Sequence, residues 1–235
     1  MAGLSSRFFK AGFTLPKYML TLKDETIFEW SVRSFERYFS SEHFVFITMQ
    51  KFDTPRFVEE KVQQIGIKSY EIIVLDQNTR GQADTVLQGI RHIENDEELY
   101  IFNIDSKLEN FEKLDSLEGV DGYLEVFHGE GDHWSFVLSG EKNQVLKTTE
   151  KQRISSLCSN GLYYFKSSKV FKRNVEQAIK HNLNSEIYIA PIYNQYIKEG
   201  AHTIYKEVEL KDINFCGTPQ EYEDMLDKLD EEHQL

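Results

Sequence analysis

A glycine-bearing turn followed by Arg7 and Lys17 opens the sequence. The stretch MAGLSSRFFKAGFTLPK places Gly3, Arg7 and Lys17 within positions 1–17. Glycine lets backbone N–H groups approach an anion closely, and Arg and Lys supply the charge that binds phosphate. The stretch therefore indicates a phosphate site. It has neither a Walker A nor a GxGxxG pattern, so a basic surface loop is the alternative interpretation.

Two polar features follow predicted strands. The stretch LDQNTRGQADTV runs from a strand through a turn at Gly81 into a helix, and Asp105 follows the apolar run of YIFNIDS. Ligands of open α/β sheets bind beyond the carboxyl ends of strands, where a carboxylate can hold Mg²⁺. The alternatives are an ordinary loop glycine and a turn or capping aspartate.

A fourth feature is the charged pair Glu150 and Lys151 in TTEKQRIS, between two strand-like segments. Charged residues in that position ordinarily face solvent. The aromatic residues of the second half, such as Tyr163, Tyr188 and Tyr193, are expected to pack in core and half-buried positions rather than to stack on bases.

Composition limits the class of protein. The 235 residues are 40% hydrophobic and 13% aromatic, enough for the core of one α/β domain. A net charge of −12 argues against nonspecific binding to nucleic acid or to an anionic membrane. Cys158 and Cys216 lack metal-site or disulfide spacing, and no apolar run is long enough for a membrane span or export signal. We therefore expect a cytoplasmic protein.

Up to about residue 118, apolar runs alternate with helical patterns. The alternation predicts a doubly wound, mostly parallel sheet with helices on both faces. In the helix over TPRFVEEKVQQIG, Thr54 is the expected N-cap and Gly66 the expected stop. The predicted helices are 25–39, 54–65 and 82–93, and the predicted strands are 43–49, 70–76 and 98–105.

After residue 118 the pattern changes to short strand-like runs separated by turn residues, which predicts a small mixed or antiparallel extension. We expect one domain over 1–235, with a nucleotide-binding half (1–118) and an acceptor-binding half (119–235). The predicted strands here are 121–127, 134–140, 144–150, 159–165 and 202–209, and the predicted helices are 168–182, 187–200 and one that begins at Thr218 or Pro219.

Taken in order, these segments resemble the sugar-phosphate nucleotidyltransferases, the nucleoside-diphosphate-sugar pyrophosphorylases of GT-A-like (Rossmann-like) fold. The family begins with a strand, an A-G-x-x-x-R turn and a P-K dipeptide. The turn matches Ala2, Gly3 and Arg7, and the dipeptide matches Pro16 and Lys17. The resemblance extends over nearly the whole chain.

The other family motifs follow in the same order. They are a G-x-A turn that holds the base, a strand-ending Asp that binds magnesium, an E-K pair that contacts the sugar phosphate, and a G-x-Y-x-F strand. The stretches EIYIAPIYNQYIKEG and GTPQEYEDML look like the closing segments of the bacterial capsule and surface-polysaccharide branch. The matching residues are Gly81, Gln82, Ala83, Asp105, Glu150, Lys151 and 161–165.

The resemblance implies a reaction in which a phosphate oxygen of an acceptor attacks the α-phosphorus of an NTP and pyrophosphate leaves. It implies that Arg7 contacts the β- and γ-phosphates, Lys17 the α-phosphate and Lys151 the acceptor phosphate, while Asp105 holds Mg²⁺. The implied partners are an NTP (CTP, UTP, dTTP or GTP) and a small phosphorylated acceptor. The oligomeric state is left open, a homo-oligomer included.

Two positions depart from the family pattern. Many members carry a second metal-binding Asp where this chain has Phe215, and the family's first strand has no counterpart before Met1. Losing that strand would leave backbone groups of its neighbours unpaired. We therefore expect Met1 to be an internal methionine of a longer protein, which intact-mass measurement would test.

These departures keep two other functions open. One is a nucleotide-binding protein with impaired catalysis. The other is a GT-A glycosyltransferase that binds a finished nucleotide sugar through NID as its acidic metal motif, although the basic loop with Arg7 and Lys17 argues against it.

Overall fold

We describe the fold from a computed structural model, which describes residues 1, 3, 5–182 and 185–232. Within these ranges it has seven α-helices and twelve strands. The helices are α1 (Ser6–Lys10), α2 (Ile27–Val32), α3 (Thr54–Ile65), α4 (Gln82–Gly89), α5 (Ser168–His181), α6 (Ile192–Lys198) and α7 (Pro219–Glu232). The strands are β1 (Thr21–Leu22), β2 (Glu25–Thr26), β3 (His43–Met49), β4 (Ser69–Leu75), β5 (Leu99–Ile101), β6 (Ser106–Leu108), β7 (Gly122–His128), β8 (Ser135–Ser139), β9 (Val145–Glu150), β10 (Leu157–Phe165), β11 (Thr203–Glu207) and β12 (Ile213–Phe215).

The chain forms two compact units. Unit 1 comprises Met1–Asn78, Asn103–Phe111 and Lys211–Leu235, and unit 2 comprises Thr79–Phe102 and Glu112–Leu210. The units do not follow the boundary at 118 that the sequence suggests, because the C-terminal segment belongs with the N-terminal one. The assignment of a nucleotide half and an acceptor half stays a prediction.

In unit 1, β3 and β4 pair in parallel over their full length, from His43 opposite Ser69 to Met49 opposite Leu75. Helix α3 places Val58 and Val62, four residues apart, on one fully buried face. They join an apolar cluster that also contains Phe28 of α2. The parallel strand–helix–strand arrangement predicted for this segment is confirmed.

One hydrogen bond reaches β3 from the start of the chain. The amino group of Met1 donates a hydrogen bond to the Ile47 carbonyl at 2.7 Å. Among the described residues, β3 pairs as a strand with β4 only.

The caps of α3 differ from the sequence prediction at one end. Asp53, with φ of 51°, precedes the helix, and Thr54 is its first residue rather than its N-cap. The Thr54 hydroxyl instead donates to the Lys51 carbonyl at 2.5 Å, so it is not available to cap the helix. Gly66 ends the helix as predicted, in a left-handed conformation with φ of 87°.

Unit 2 contains a six-stranded sheet with β10 at its centre. The strand order is β11, β7, β10, β8 and β9, and β5 also pairs with β10. Every residue of β10 is buried. Among the described strands of this sheet, only β11 and β7 pair in parallel. Strand β10 pairs antiparallel with β5, β7 and β8, and β8 pairs antiparallel with β9. The α/β class is confirmed, and antiparallel pairing takes a larger share of this sheet than the sequence predicts.

Four predicted elements are shorter than expected, and one of them is the helix predicted over 187–200, which begins only at Ile192. The helix predicted over 25–39 begins at Ile27, after a capping box formed by Thr26 and Glu29, and becomes a 3-10 helix at Arg33. The Ser34 hydroxyl donates to the Ser31 carbonyl at 2.7 Å, a side-chain bond that competes with helical pairing. Helix α4 ends at Gly89.

The strand predicted over 98–105 is also short, because β5 ends at Ile101. Asp105 therefore lies in the turn that precedes β6, and not at the end of a long strand. No helix in the described part of the chain is both long and apolar enough to cross a membrane.

Candidate functional site

The basic loop of unit 1 is shaped by Ser5. This residue has φ of 47°, and the five-residue helix α1 follows it. Gly3 is exposed, and a β-carbon there would meet no atom within 4 Å, so space does not require glycine at this position. Phe8 is buried and anchors α1, which leaves Arg7 exposed. Ala2, predicted to bind nucleotide, lies outside the described residues.

Lys17 and Asp105 are brought together in unit 1, although 88 residues separate them in the sequence. The Lys17 ammonium forms an ion pair with Asp105 Oδ2, and both side chains are about a fifth exposed (22% and 21%). The Lys17 N–H donates to the Ser5 hydroxyl at 3.3 Å, which ties the two ends of the loop. The two predicted phosphate-site residues therefore share one partly desolvated pair.

The surroundings of Asp105 explain why position 217, the first of the sequence Gly-Thr-Pro, is a glycine. The Cys216 N–H donates to the Asp105 carbonyl at 2.7 Å, and a β-carbon on Gly217 would lie 3.0 Å from Asp105 Oδ2. Glu221 accepts hydrogen bonds from the N–H groups of Gly217 and Thr218 at 2.8 and 2.9 Å. This capping arrangement fixes the start of α7 close to the Asp105 carboxylate.

The donor set at Asp105 fits a magnesium ion only when substrate supplies most of the ligands. Within the described ranges there is no group of three or more His, Cys, Asp or Glu side chains that could hold a metal. Mg²⁺ commonly takes one or two carboxylates together with waters and substrate phosphates. Phe215, at the position of the family's second Asp, lies in β12 opposite Ser106 and offers no oxygen ligand from its side chain.

In unit 2, Gly81 lies at the start of α4 with φ of 121°. A β-carbon at this position would lie 2.6 Å from the Ile187 carbonyl oxygen. The Ile187 N–H donates to the Arg80 carbonyl at 2.6 Å, and the Ala83 N–H donates to the Ile187 carbonyl at 3.0 Å. Position 81 thus requires glycine because the backbone of Ile187 approaches it closely. Ala83 is fully buried. Gln82 is the first residue of α4 and is half-buried.

Glu150 ends β9 and accepts a hydrogen bond from the Ser135 hydroxyl. Burial is the largest cause that raises the pKa of Glu150, and the charge of Glu186 adds to it, while Ser135 and Lys151 act in the opposite direction. A half-buried carboxylate with a raised pKa is typical of a functional site.

Lys151 follows Glu150 in a left-handed conformation, with φ of 53°. Such a conformation costs a non-glycine residue about 1 kcal/mol or more. The Lys151 N–H donates to the Trp134 carbonyl at 2.9 Å, which holds the backbone in place. The ammonium donates to the Tyr188 hydroxyl at 2.5 Å, and this hydrogen bond is the largest cause that raises the Lys151 pKa.

Sequence reasoning missed Ser135, Glu186 and Tyr188 as contacts of the predicted residues. Ser135 gives no signal beyond a small polar residue in a strand. Glu186 and Tyr188 do give one, because SEIYIA alternates polar and apolar residues in the manner of a half-buried strand. Ile187 and Ile189 are buried as that alternation requires.

The fold matches that of solved nucleoside-diphosphate-sugar pyrophosphorylases. A nucleoside-diphosphate-sugar pyrophosphorylase from Vibrio cholerae RC9 is 43% identical, with a TM-score of 0.91 over 96% of this chain and 97% of that one. The chain belongs to the nucleoside-diphosphate-sugar pyrophosphorylase family. Comparison with protein-family models and with curated proteins gives no match.

More distant structures share the fold. The inositol-1-phosphate CTP transferase from T. maritima is 14% identical, with a TM-score of 0.73 over 96% of this chain and 92% of that one. A UDP-glucose pyrophosphorylase from Acinetobacter baumannii is 17% identical, with a TM-score of 0.68 over 95% of this chain and 89% of that one. At these identities the likeness concerns the fold alone.

Proposed function

We propose that this protein transfers an NMP from an NTP to a sugar phosphate or similar small phosphate and releases pyrophosphate. The observation that carries the proposal is the pairing of Lys17 with Asp105, since two distant family motifs meet in one partly buried cluster. The 43% identical pyrophosphorylase from Vibrio cholerae supports the same reaction class.

In the proposed reaction, an oxygen of the acceptor phosphate attacks the α-phosphorus in line, the bond between the α-phosphorus and its bridging oxygen breaks, and pyrophosphate carries away the electron pair. Arg7 is exposed and can meet the β- and γ-phosphates, Lys17 the α-phosphate and Lys151 the attacking phosphate. These cations neutralise charge and position the reactants, and such chemistry depends mainly on those two effects. A phosphate dianion needs no general base.

Asp105 would hold Mg²⁺ in this scheme, together with phosphate oxygens of the substrate. A bound magnesium ion supplies neutralisation of the charge that develops on the leaving pyrophosphate. If Asp105 held the ion, Lys17 would lose its carboxylate partner. The Lys17 ammonium would then be available to the α-phosphate.

The base would be held at Gly81, Gln82 and Ala83. The N–H of Ala83 already donates to the Ile187 carbonyl, so base recognition must use other groups of this turn. CTP, UTP, dTTP and GTP all remain candidates. Precursor synthesis for a capsule or surface polysaccharide in the cytoplasm is part of the proposal, supported by the closing segments of the sequence and by two buried free cysteines.

The test is a matrix of the four NTPs against acceptor phosphates, with Mg²⁺, read as pyrophosphate release. We expect one NTP and acceptor pair to give turnover that stops when EDTA is added. A wild-type protein that binds an NTP yet releases no pyrophosphate with any pair would contradict the proposal.

That outcome would instead support a nucleotide-binding protein with impaired catalysis. Phe215 is the specific observation in its favour, because a phenyl ring replaces the carboxylate that many family members use. The Phe215→Asp variant separates the two functions. A gain of turnover in this variant from an inactive wild-type protein would identify the impaired form.

A further inference from the structure

Residues 185–188, which we call the anchor segment, carry two side chains that meet Lys151. Ile187, at the centre of the segment, is buried in the core of unit 2 and leaves only 4% of its surface exposed. Its neighbours Glu186 and Tyr188 alternate with it, so they lie on the opposite, solvent-facing side. The segment therefore has one face fixed in the core and one face at the candidate acceptor site.

The backbone of the anchor segment is held by the turn that contains Gly81. Ile187 accepts from the Ala83 N–H and donates to the Arg80 carbonyl. The Arg80 guanidinium donates to the carbonyls of Asn182 and Ser185. These bonds leave the anchor segment little freedom, which is what a residue that positions another group requires.

The exposed face of the segment forms a chain of hydrogen bonds. The Lys151 ammonium donates to the Tyr188 hydroxyl at 2.5 Å and lies 4.5 Å from the centre of the Tyr188 ring. The Tyr188 hydroxyl in turn donates to the Glu186 carboxylate. A lysine side chain has many rotamers, and two contacts with one fixed ring remove most of that freedom before any ligand binds.

We infer that Tyr188, oriented by Glu186, is a positioning residue that holds the Lys151 ammonium ready for the acceptor phosphate. The inference rests on the proposed function for the identity of the ligand. A phenol suits this role because it takes only one of the three ammonium donors and, unlike a carboxylate, does not neutralise the cation. The remaining two donors stay available to a phosphate.

The first test measures the Lys151 ammonium without any substrate. Competitive acetylation followed by mass spectrometry compares wild type, Tyr188→Phe and Glu186→Gln, with the exposed Lys147 of β9 as internal reference. We expect Tyr188→Phe to raise the labelling rate of Lys151 about 5-fold, since a free amine reacts only when deprotonated and one hydrogen bond is lost. Glu186→Gln should give a smaller increase.

Tyr205→Phe is the matched control, because Tyr205 is a partly exposed tyrosine of β11 in the same unit. In the Tyr205→Phe variant, the labelling rate of Lys151 should equal that in wild type. Equal labelling of Lys151 in Tyr188→Phe and Tyr205→Phe would overturn the inference.

The second test uses turnover. Tyr188→Phe should raise the acceptor KM about 5-fold and leave the NTP KM within about 2-fold. In a Lys151→Ala background the same substitution should have no further effect, because Tyr188 acts through that lysine. An undiminished effect in that background would contradict a positioning role.

The two tests distinguish failure of the inference from failure of the proposed function. If wild type releases no pyrophosphate with any substrate pair, the proposed function fails, and the labelling rates alone then confirm or overturn the positioning of Lys151.

Discussion

Both units hold a lysine that is already paired at a candidate phosphate site, but the partners differ. In unit 1, Lys17 pairs directly with the carboxylate of Asp105. In unit 2, Lys151 donates to the Tyr188 hydroxyl, which donates to the Glu186 carboxylate. In unit 1 the Asp105 carboxylate neutralises the Lys17 ammonium directly. In unit 2 the Tyr188 hydroxyl lies between the Lys151 ammonium and the Glu186 carboxylate.

The difference indicates two ways of preparing a cation for phosphate. Lys17 becomes available only when Asp105 takes another partner, which suits a site where a metal ion and a nucleotide arrive together. Lys151 needs no exchange of partners, because two of its donors stay free. We therefore expect phosphate binding by Lys17 to depend on a metal ion, and phosphate binding by Lys151 to depend on the charge of the lysine alone.

Removing the carboxylate of the first pair should have the largest effect. In Asp105→Asn the side chain keeps its shape, but it loses the charge that would hold Mg²⁺. We expect kcat to fall about 1000-fold in pyrophosphate-release assays. Asp24→Asn, which changes an exposed aspartate of the same unit, should keep wild-type activity. Full activity in Asp105→Asn would show that the assignment of Asp105 is wrong.

Arg7 allows a test of the basic loop without disturbing the ion pair. Arg7→Ala should lower kcat/KM for the NTP about 100-fold, since charge-assisted hydrogen bonds to phosphate are lost. Lys10→Ala is the control, because Lys10 is an exposed cation of the same helix α1. Equal losses in both variants would mean that the loop contributes only net charge.

The Gly81 turn should be sensitive to a single added carbon. Gly81→Ala combines an unfavourable φ with a β-carbon 2.6 Å from the Ile187 carbonyl oxygen. Gly200 also has a positive φ, of 90°, but nothing lies within 4 Å of a β-carbon there. In urea unfolding we expect Gly81→Ala to lose about 2 kcal/mol more than Gly200→Ala. Similar losses would show that the turn can move away from the anchor segment.

Parts of this arrangement could be read from the sequence. The helix α3, the strand β3 and the residues Lys17 and Asp105 were predicted from local patterns and family motifs. The partners of Lys151 were not, because Tyr188 and Glu186 lie more than 30 residues away and only the fold brings them together. Thr54 was wrongly predicted as a cap because its hydroxyl bonds to Tyr18, 36 residues away, and only the fold brings these two residues together.

Lys151→Ala tests the second site directly. We expect kcat/KM for the acceptor to fall about 20-fold while the NTP KM stays unchanged, because one charged hydrogen-bond donor to a single phosphate is removed. Lys147→Ala, an exposed lysine of the neighbouring strand β9, is the matched control. If Lys151→Ala instead changed only the KM for the NTP, Lys151 would belong to the nucleotide site.

Glu150 should produce the smallest effect and shows how the second site costs stability. Burial raises its pKa above the ordinary value of 4.5, so the charged form is less favourable in the folded than in the unfolded protein. Its contribution to stability is therefore complete below pH 4.5 and falls as pH rises through the folded-state pKa. Glu150→Gln keeps an acceptor for the Ser135 hydroxyl but cannot ionise.

We expect Glu150→Gln to unfold at a slightly higher urea concentration than wild type at pH 7, with the difference vanishing below pH 4. Glu141→Gln, an exposed glutamate of the same unit, should match wild type at both pH values. If Glu150→Gln were instead less stable at pH 7, the charge of Glu150 would stabilise the fold, and the second site would then resemble the directly paired Lys17 and Asp105.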